Sequence, residues 1–312
     1  MKKFLFFTIV IIFLSKNGWA AFNETVAGAR PVGMGDAFVA IADDGNAVNY
    51  NVGGLGRIDN IQIELTKAMQ FAGLVNYNHI GLILPLGRIG ALGASFGLLS
   101  ESSKIYNERE LILSYGRSFS IISTGMSLKF FSTKYDEKIE SVANNPYFAK
   151  TSANALSIDW GLLVQPANGL SVGFFADNLL PANVSISKDE EDKVPTKIGL
   201  GLAYKLEAIA PSAQQKSMRE LLSRTQCAMG IDHRNGEMEL HLGAEVGVYE
   251  SFAIRGGYAT KSGANSNSTI SFGASWVLPI QSIRLRLDYA FQMLMSDLQD
   301  NTSHRVSTNL FF

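Results

Sequence analysis

Apolar and polar side chains alternate residue by residue through most of this chain. That pattern confines it to strands with one apolar and one polar face. In 282–293, Ile283, Leu285, Leu287, Tyr289, Phe291 and Met293 share one face, against Ser282, Arg284, Arg286, Asp288, Ala290 and Gln292. In 237–248, Met238, Leu240, Leu242, Ala244, Val246 and Val248 oppose Glu237, Glu239, His241, Gly243, Glu245 and Gly247. The chain closes the same way, with Val306, Thr308, Leu310 and Phe312 opposite Arg305, Ser307 and Asn309.

Segments of this kind fall at 61–70, 73–85, 89–100, 108–118, 121–134, 153–165, 169–179, 195–206, 223–233, 237–248, 251–261, 267–278, 281–293 and 302–312. Their number is even, and many are near the roughly 9–11 residues of a tilted strand crossing a bilayer. Connections after even-numbered strands are tight, as at Leu86-Gly87-Arg88 and Pro166-Ala167-Asn168. Those after odd-numbered strands are longer and more polar, as at 135–152 and 180–194. The connections at 71–72 and 207–222 break the rule, and Glu207–Leu222 has the composition of a short surface helix. A soluble sandwich also alternates, but fourteen strands exceed one ordinary sandwich. Aromatic residues near strand ends (Tyr204, Trp276, Tyr289, Phe312) suit interfacial girdles instead. No apolar run near 18 residues follows residue 60, so helices do not do the crossing. The expected fold is all-β: a transmembrane antiparallel barrel of about fourteen strands over 61–312, in a bacterial outer membrane.

Residues 1–20 read as a secretory signal peptide: Lys2 and Lys3, an apolar run from Phe4 to Leu14, and Gly18-Trp19-Ala20 before the cut. The 27 basic and 28 acidic residues nearly cancel, and cleavage would remove three lysines and no acid, so nucleic acid is no partner. One cysteine, Cys227, excludes a disulfide framework and reads as a small apolar filler. Residues 21–60 do not alternate. Their density of Gly, Asn and Asp implies turns and close backbone packing, and their position before the first strand implies a plug or hatch in the lumen.

Within that segment, Gly28 to Gly35, Ala42-Asp43-Asp44 and Asn51 to Leu55 resemble the N-terminal signature of the PorV/PorQ family, which is related to FadL-type long-chain fatty acid transporters. Pro195 to Gly201, Leu240 to Glu245 and Arg255-Gly256-Gly257-Tyr258 look like the same family. The resemblance implies a fourteen-stranded barrel with an N-terminal hatch. It also implies gating candidates: Gly33, Gly35, Asp43, Asp44, Asn51, Gly53 and Gly54. Where the family usually reads Asn-Pro-Ala-Gly-Leu, this chain has Asn51-Val52-Gly53-Gly54-Leu55, which loosens the backbone at that step.

Parity turns Glu64, Lys129, Asp159, Asp232, Glu237, Glu239, Glu245, Arg255, Arg284, Arg286 and Asp288 inward. With His241, the cluster Glu239, Glu245, Arg255, Arg284, Arg286 and Asp288 is the expected charge network holding the hatch. Centring the turn on Glu250 puts Glu245 opposite Arg255. Inward Gly, Ala and Ser residues (Gly201, Ala203, Gly243, Gly257, Gly273, Ser275) leave room for a hatch or a ligand. His79, His233, His241 and His304 lack metal-ligand spacing, and no nucleophile elbow occurs, so the chain reads as neither an enzyme nor a cofactor or metal protein. Outer-membrane lipid is an expected neighbour. Two functions fit: binding or passing fatty-acid-like or other hydrophobic molecules, and serving type IX secretion by presenting loops 135–152 and 180–194 to secretion-system or cargo proteins.

Overall fold

The computed structural model describes residues 21–22, 28–263, 266–295 and 302–312; the expected signal peptide lies outside them. The strands are β1 (Gln62–Gln70), β2 (Val75–Pro85), β3 (Ala91–Glu101), β4 (Tyr106–Phe119), β5 (Ile122–Tyr135), β6 (Ser152–Ala167), β7 (Leu170–Asp177), β8 (Ala182–Asn183), β9 (Lys193–Val194), β10 (Lys197–Lys205), β11 (Thr225–Arg234), β12 (Glu237–Gly247), β13 (Phe252–Ser262), β14 (Asn267–Ile280), β15 (Ile283–Leu294) and β16 (Thr302–Phe311). All but β8 and β9 join antiparallel neighbour to neighbour, and β1 pairs with β16 to close a barrel of fourteen strands. Closure satisfies every edge, which an apolar medium demands.

The register follows the alternation. Glu245 lies opposite Arg255, and both side chains point inward. Leu65, Ile80, Leu113, Leu200, Met229, Leu242, Phe272 and Val306 point out and are exposed. One end of the barrel carries tight turns and the two ends of the strand series; the other carries the longer connections. A two-residue Asn235-Gly236 turn at the loop end is a further exception, already implied by the short gap between 223–233 and 237–248. The expected helix at 207–222 is shorter and later, α4 at Lys216–Ser223, and 3-10 turns precede it. Pro211 lies in those turns, and it can start a helical turn but not continue one. Among the described residues, the loops also carry the β8–β9 hairpin and α3 (Glu140–Ala143) at the long end and 3-10 turns at Phe71–Gly73 and Gly87–Ile89.

Cys227 is exposed on the outward face of β11. If that face lies in acyl chains, the thiol is out of reach of water-borne reagents. A water-soluble maleimide is therefore expected to label Cys227 in vesicle-embedded protein only after denaturation. Rapid labelling of the native, embedded protein contradicts a bilayer around β11.

Candidate functional site

Residues 28–58 run as α1 (Ala29–Gly33), α2 (Ala47–Tyr50) and a 3-10 stretch, Val52–Arg57, and nearly all are buried. They meet the inward faces of strands right round the circumference. α1 packs on β13 to β16, Met34 on Gly243 of β12, and Val39 on Gly173 and Gly201 of β7 and β10. The 3-10 stretch packs on β3 to β7. A segment that touches opposite walls of a closed barrel crosses its interior.

The close approaches explain the small inward residues. Gly35 has φ +62°, and a Cβ on it would lie 2.6 Å from the Tyr258 nitrogen; this is a left-handed position where glycine is nearly obligatory. The extra glycine, Gly53, sits in a close contact rather than in a loosened step. Asn51 accepts from the Gly53 amide at 3.0 Å and donates to the Val39 and Leu162 carbonyls at 2.8 and 3.1 Å. A side chain at Gly53 would strike the β6 backbone, so this glycine permits contact.

One cation fastens the segment. The Arg30 guanidinium, almost wholly buried, reaches Asp43 at 2.6 Å, Asp44 at 2.9 Å and both oxygens of Glu245 at 2.9 Å. Glu245 also takes a bond from Arg255 Nε at 2.5 Å. Arg255 reaches Asp288 at 2.9 Å, and Arg286 bridges Asp288 and Asp44, both at 2.7 Å. Asn309 donates to Asp288 at 2.9 Å. Guanidinium forks suit this mesh, because one Arg bonds several carboxylate oxygens in fixed directions. The segment has further ties: Gly28 N–H to Asn46 Oδ1 at 2.6 Å, Asn46 to Glu64 at 3.0 Å, Ala29 N–H to Ser307 at 2.7 Å, and Tyr50 to Asp36.

Of the expected charge network, Glu245, Arg255, Arg286 and Asp288 meet here, and Asp43 and Asp44 join them. Arg284 does not. It shares their parity but stands exposed at the turn-end rim, over the Phe311 ring at 5.5 Å, because β15 begins only one residue before it. Glu239 and His241 form a second cluster at the loop end. The His241 ring contacts the Gly35 carbonyl and Asp232, each at 2.9 Å, and Lys197 reaches Asp232 at 3.1 Å. Asp232, Glu239 and His241 hold ligand-type atoms within 4.8 Å of one another, a convergence that sequence spacing hides because register creates it. The Lys197 ammonium supplies the positive charge there. Gly33 and Gly35 lie against Gly273 and β13 respectively, and Gly54 against Ala42. Arg30 was missing from the sequence-derived candidates. It is the only Lys or Arg between residues 21 and 56, among four acids, and that imbalance is the signal the sequence offers.

The cavities flank the segment. A loop-end space of about 330 Å³ is lined by charged groups including Lys197, Asp232, Glu239, His241 and Lys261. Turn-end spaces of about 300 and 290 Å³ are lined by Arg30, Asp43 and Arg286 and by Ala40, Arg57 and Gln165. At the loop end, loops 135–152 and 180–194 fold together. The Ala149 amide donates to the Ile186 carbonyl at 2.9 Å, Lys188 Nζ donates to the Pro146 carbonyl at 2.7 Å, and Tyr147 is 75% exposed on top. Val184 and Val194 pack with Phe131 and Ala153 in the barrel mouth.

Asp44 gives the mesh a pH signature. Burial would raise its pKa, but Arg286 and then Arg30 more than offset that and hold it well below the usual carboxylate range. A carboxyl lowered on folding stabilises at every pH above its unfolded value, about 3.9, and loses that contribution as pH falls toward its folded value. The heat-unfolding midpoint is therefore expected to hold down to about pH 5 and then fall, and Asp44→Asn is expected to flatten that fall. An acid limb identical in Asp44→Asn and the parent removes Asp44 as its source.

The profile of the type IX secretion system membrane protein PorP/SprF family matches residues 48–310. The chain belongs to the PorP/SprF family. This replaces the resemblance to PorV/PorQ, a different family. No curated protein sequence matches the chain. Among solved structures, the PorP/SprF chain resembles a Pseudomonas aeruginosa FadL homologue at 11% identity and TM-score 0.61, covering 92% of this chain and 98% of that one. The CymD monoaromatic hydrocarbon channel gives 11%, 0.59, 93% and 98% for the same quantities. The Pseudomonas putida toluene transporter TodX gives 11%, 0.56, 94% and 99%. At these identities the shared property is the fold, a closed antiparallel β-barrel.

Proposed function

We propose that this PorP/SprF chain is an outer-membrane component of type IX secretion that works through its surfaces, with the lumen closed by residues 28–58 acting as a plug. The observation that carries this reading is the occupied lumen. The segment crosses the interior, the Arg30 mesh ties it to β12, β13 and β15, and the spaces on either side are small and polar. A closed barrel offers partners its ends. The joined loops 135–152 and 180–194, with Tyr147 at the top, are the partner-facing surface at the outer end. The family supplies the machine they serve. A strain lacking the chain is expected to lose surface delivery of at least one type IX cargo and to regain it from a plasmid copy. Normal delivery of every such cargo in the deletion strain overturns the reading.

A second reading is binding or passage of hydrophobic small molecules. It is favoured by the FadL-type fold, which covers nearly the whole length of channels described as hydrocarbon channels. Passage through the lumen would require the Arg30 mesh to open. Native mass spectrometry of protein extracted mildly from its own membrane separates the two: a bound amphiphile of defined mass supports the second reading, and a stoichiometric protein partner the first.

A further inference from the structure

The outward face of β1 to β6 changes character abruptly toward the loop end. Register aligns Leu65, Ile80, Phe96, Leu111, Phe130 and Leu156 in one row across these strands, all apolar. The next outward row is Lys67, Asn78, Leu98, Arg109, Ser132 and Asn154. In the row beyond, Asn76, Ser100, Asn107 and Lys134 follow Met69. These rows form a polar ledge carrying Lys67, Arg109 and Lys134, each without an acidic partner, and no Asp or Glu shares the outward strand positions among the described residues. On β7 and β10 to β16 the outward strand positions hold no Lys, Arg, Asp or Glu at all among the described residues. A lysine facing the apolar medium is costly near the bilayer centre and tolerable near its surface, so the ledge marks a headgroup level on one side of the barrel only.

A hollow of about 580 Å³ sits against the ledge. Leu65, Ile80, Phe96 and Val306 line its apolar part, and Lys67, Asn78 and His304 its polar part. An apolar trough ending in cationic and amide groups fits a molecule with an acyl chain and a phosphate.

The geometry points to a lipid-binding site: the hollow formed by β16 and β1 to β3, with the cationic ledge that continues to β5, holds one phosphorylated, acylated lipid of the outer leaflet, its chain against Phe96 and its phosphate at Lys67, on the side of the ledge that carries Arg109 and Lys134. Charge complementarity selects this occupant, since three cations with no acid repel a cationic partner and gain nothing from a neutral lipid. The orientation comes from outer-membrane barrels, which keep short turns on the periplasmic side and longer loops outside. The inference rests on the proposed outer-membrane setting.

The test uses the full mature chain in phosphatidylcholine nanodiscs doped with diphosphoryl lipid A or with its dephosphorylated form. Heat-modifiable gel migration scores insertion first, and native mass spectrometry after mild detergent release scores bound lipid. The parent is expected to retain the phosphorylated lipid over the dephosphorylated one by roughly tenfold or more, since each cation near a charged surface contributes measurably. Lys67→Gln/Arg109→Gln/Lys134→Gln is expected to insert equally well and lose that preference. Equal retention of both lipids by the parent, or an unchanged preference in the triple variant, overturns the site. So does a protein that occupies the ledge in place of lipid. Failure of the parent to insert at all would instead overturn the outer-membrane reading on which the site depends.

Discussion

Arg30→Ala is expected to lower the heat-unfolding midpoint of the barrel by roughly 5–10 °C, corresponding to about 3 kcal/mol. The figure follows from what the alanine leaves behind. Asp44 and Glu245 stay buried, at 3% and 15% side-chain exposure, with fewer cations to share. Removing one partner of a buried ion pair costs about 3–5 kcal/mol. The low end applies because Arg286 still reaches Asp44 and Arg255 still reaches Glu245. Arg30→Lys is expected to recover less than half of the loss, since an ammonium cannot bond Asp43, Asp44 and Glu245 from one plane. A midpoint within 1–2 °C of the parent for Arg30→Ala would mean that the packing of 28–58, not this mesh, fastens the segment.

Gly257→Val is expected to unseat the segment while leaving the barrel wall whole. A Cβ at Gly257 would lie 2.0 Å from the Gly35 nitrogen and 2.2 Å from the Met34 carbonyl carbon, and neither backbone atom can step aside. Overpacking of this kind costs about 1–3 kcal/mol or more, enough to raise the open population by roughly fivefold or more. Its neighbour provides the control, because a Cβ at Gly256 meets nothing within 4 Å on the outward face. Limited proteolysis reads the difference: cleavage within 28–58 is expected to accelerate roughly fivefold or more in Gly257→Val and to stay unchanged in Gly256→Val. Equal cleavage in both variants would contradict contact between Gly35 and β13.

The wall was legible in the sequence because alternation has a period that no other structure shares. Strand limits from alternation fall within about two residues of the observed ones, as for 267–278 against β14, Asn267–Ile280. Parity also placed Glu245 opposite Arg255. The interior was less legible, since it depends on which inward residues meet across the lumen. Arg284 has the parity of Arg286 but stands at the rim, and parity carries no height. Asp232, Glu239 and His241 converge only through the β11–β12 register. Arg30 acts on Glu245, 215 residues later, a separation no local pattern encodes. The family was misjudged for a related reason. The Gly, Asp and Asn motifs of residues 28–56 answer to close packing against the barrel wall, as at Gly35 and Gly53, and most of them lie ahead of residue 48, where the PorP/SprF match begins.

Single-channel recording in planar bilayers tests the closed lumen most directly. The mature wild-type chain is expected to insert and remain silent, with openings appearing in Gly257→Val and Arg30→Ala. Steady wild-type conductance of the size expected for an unobstructed fourteen-stranded barrel, unaltered in either variant, would contradict it.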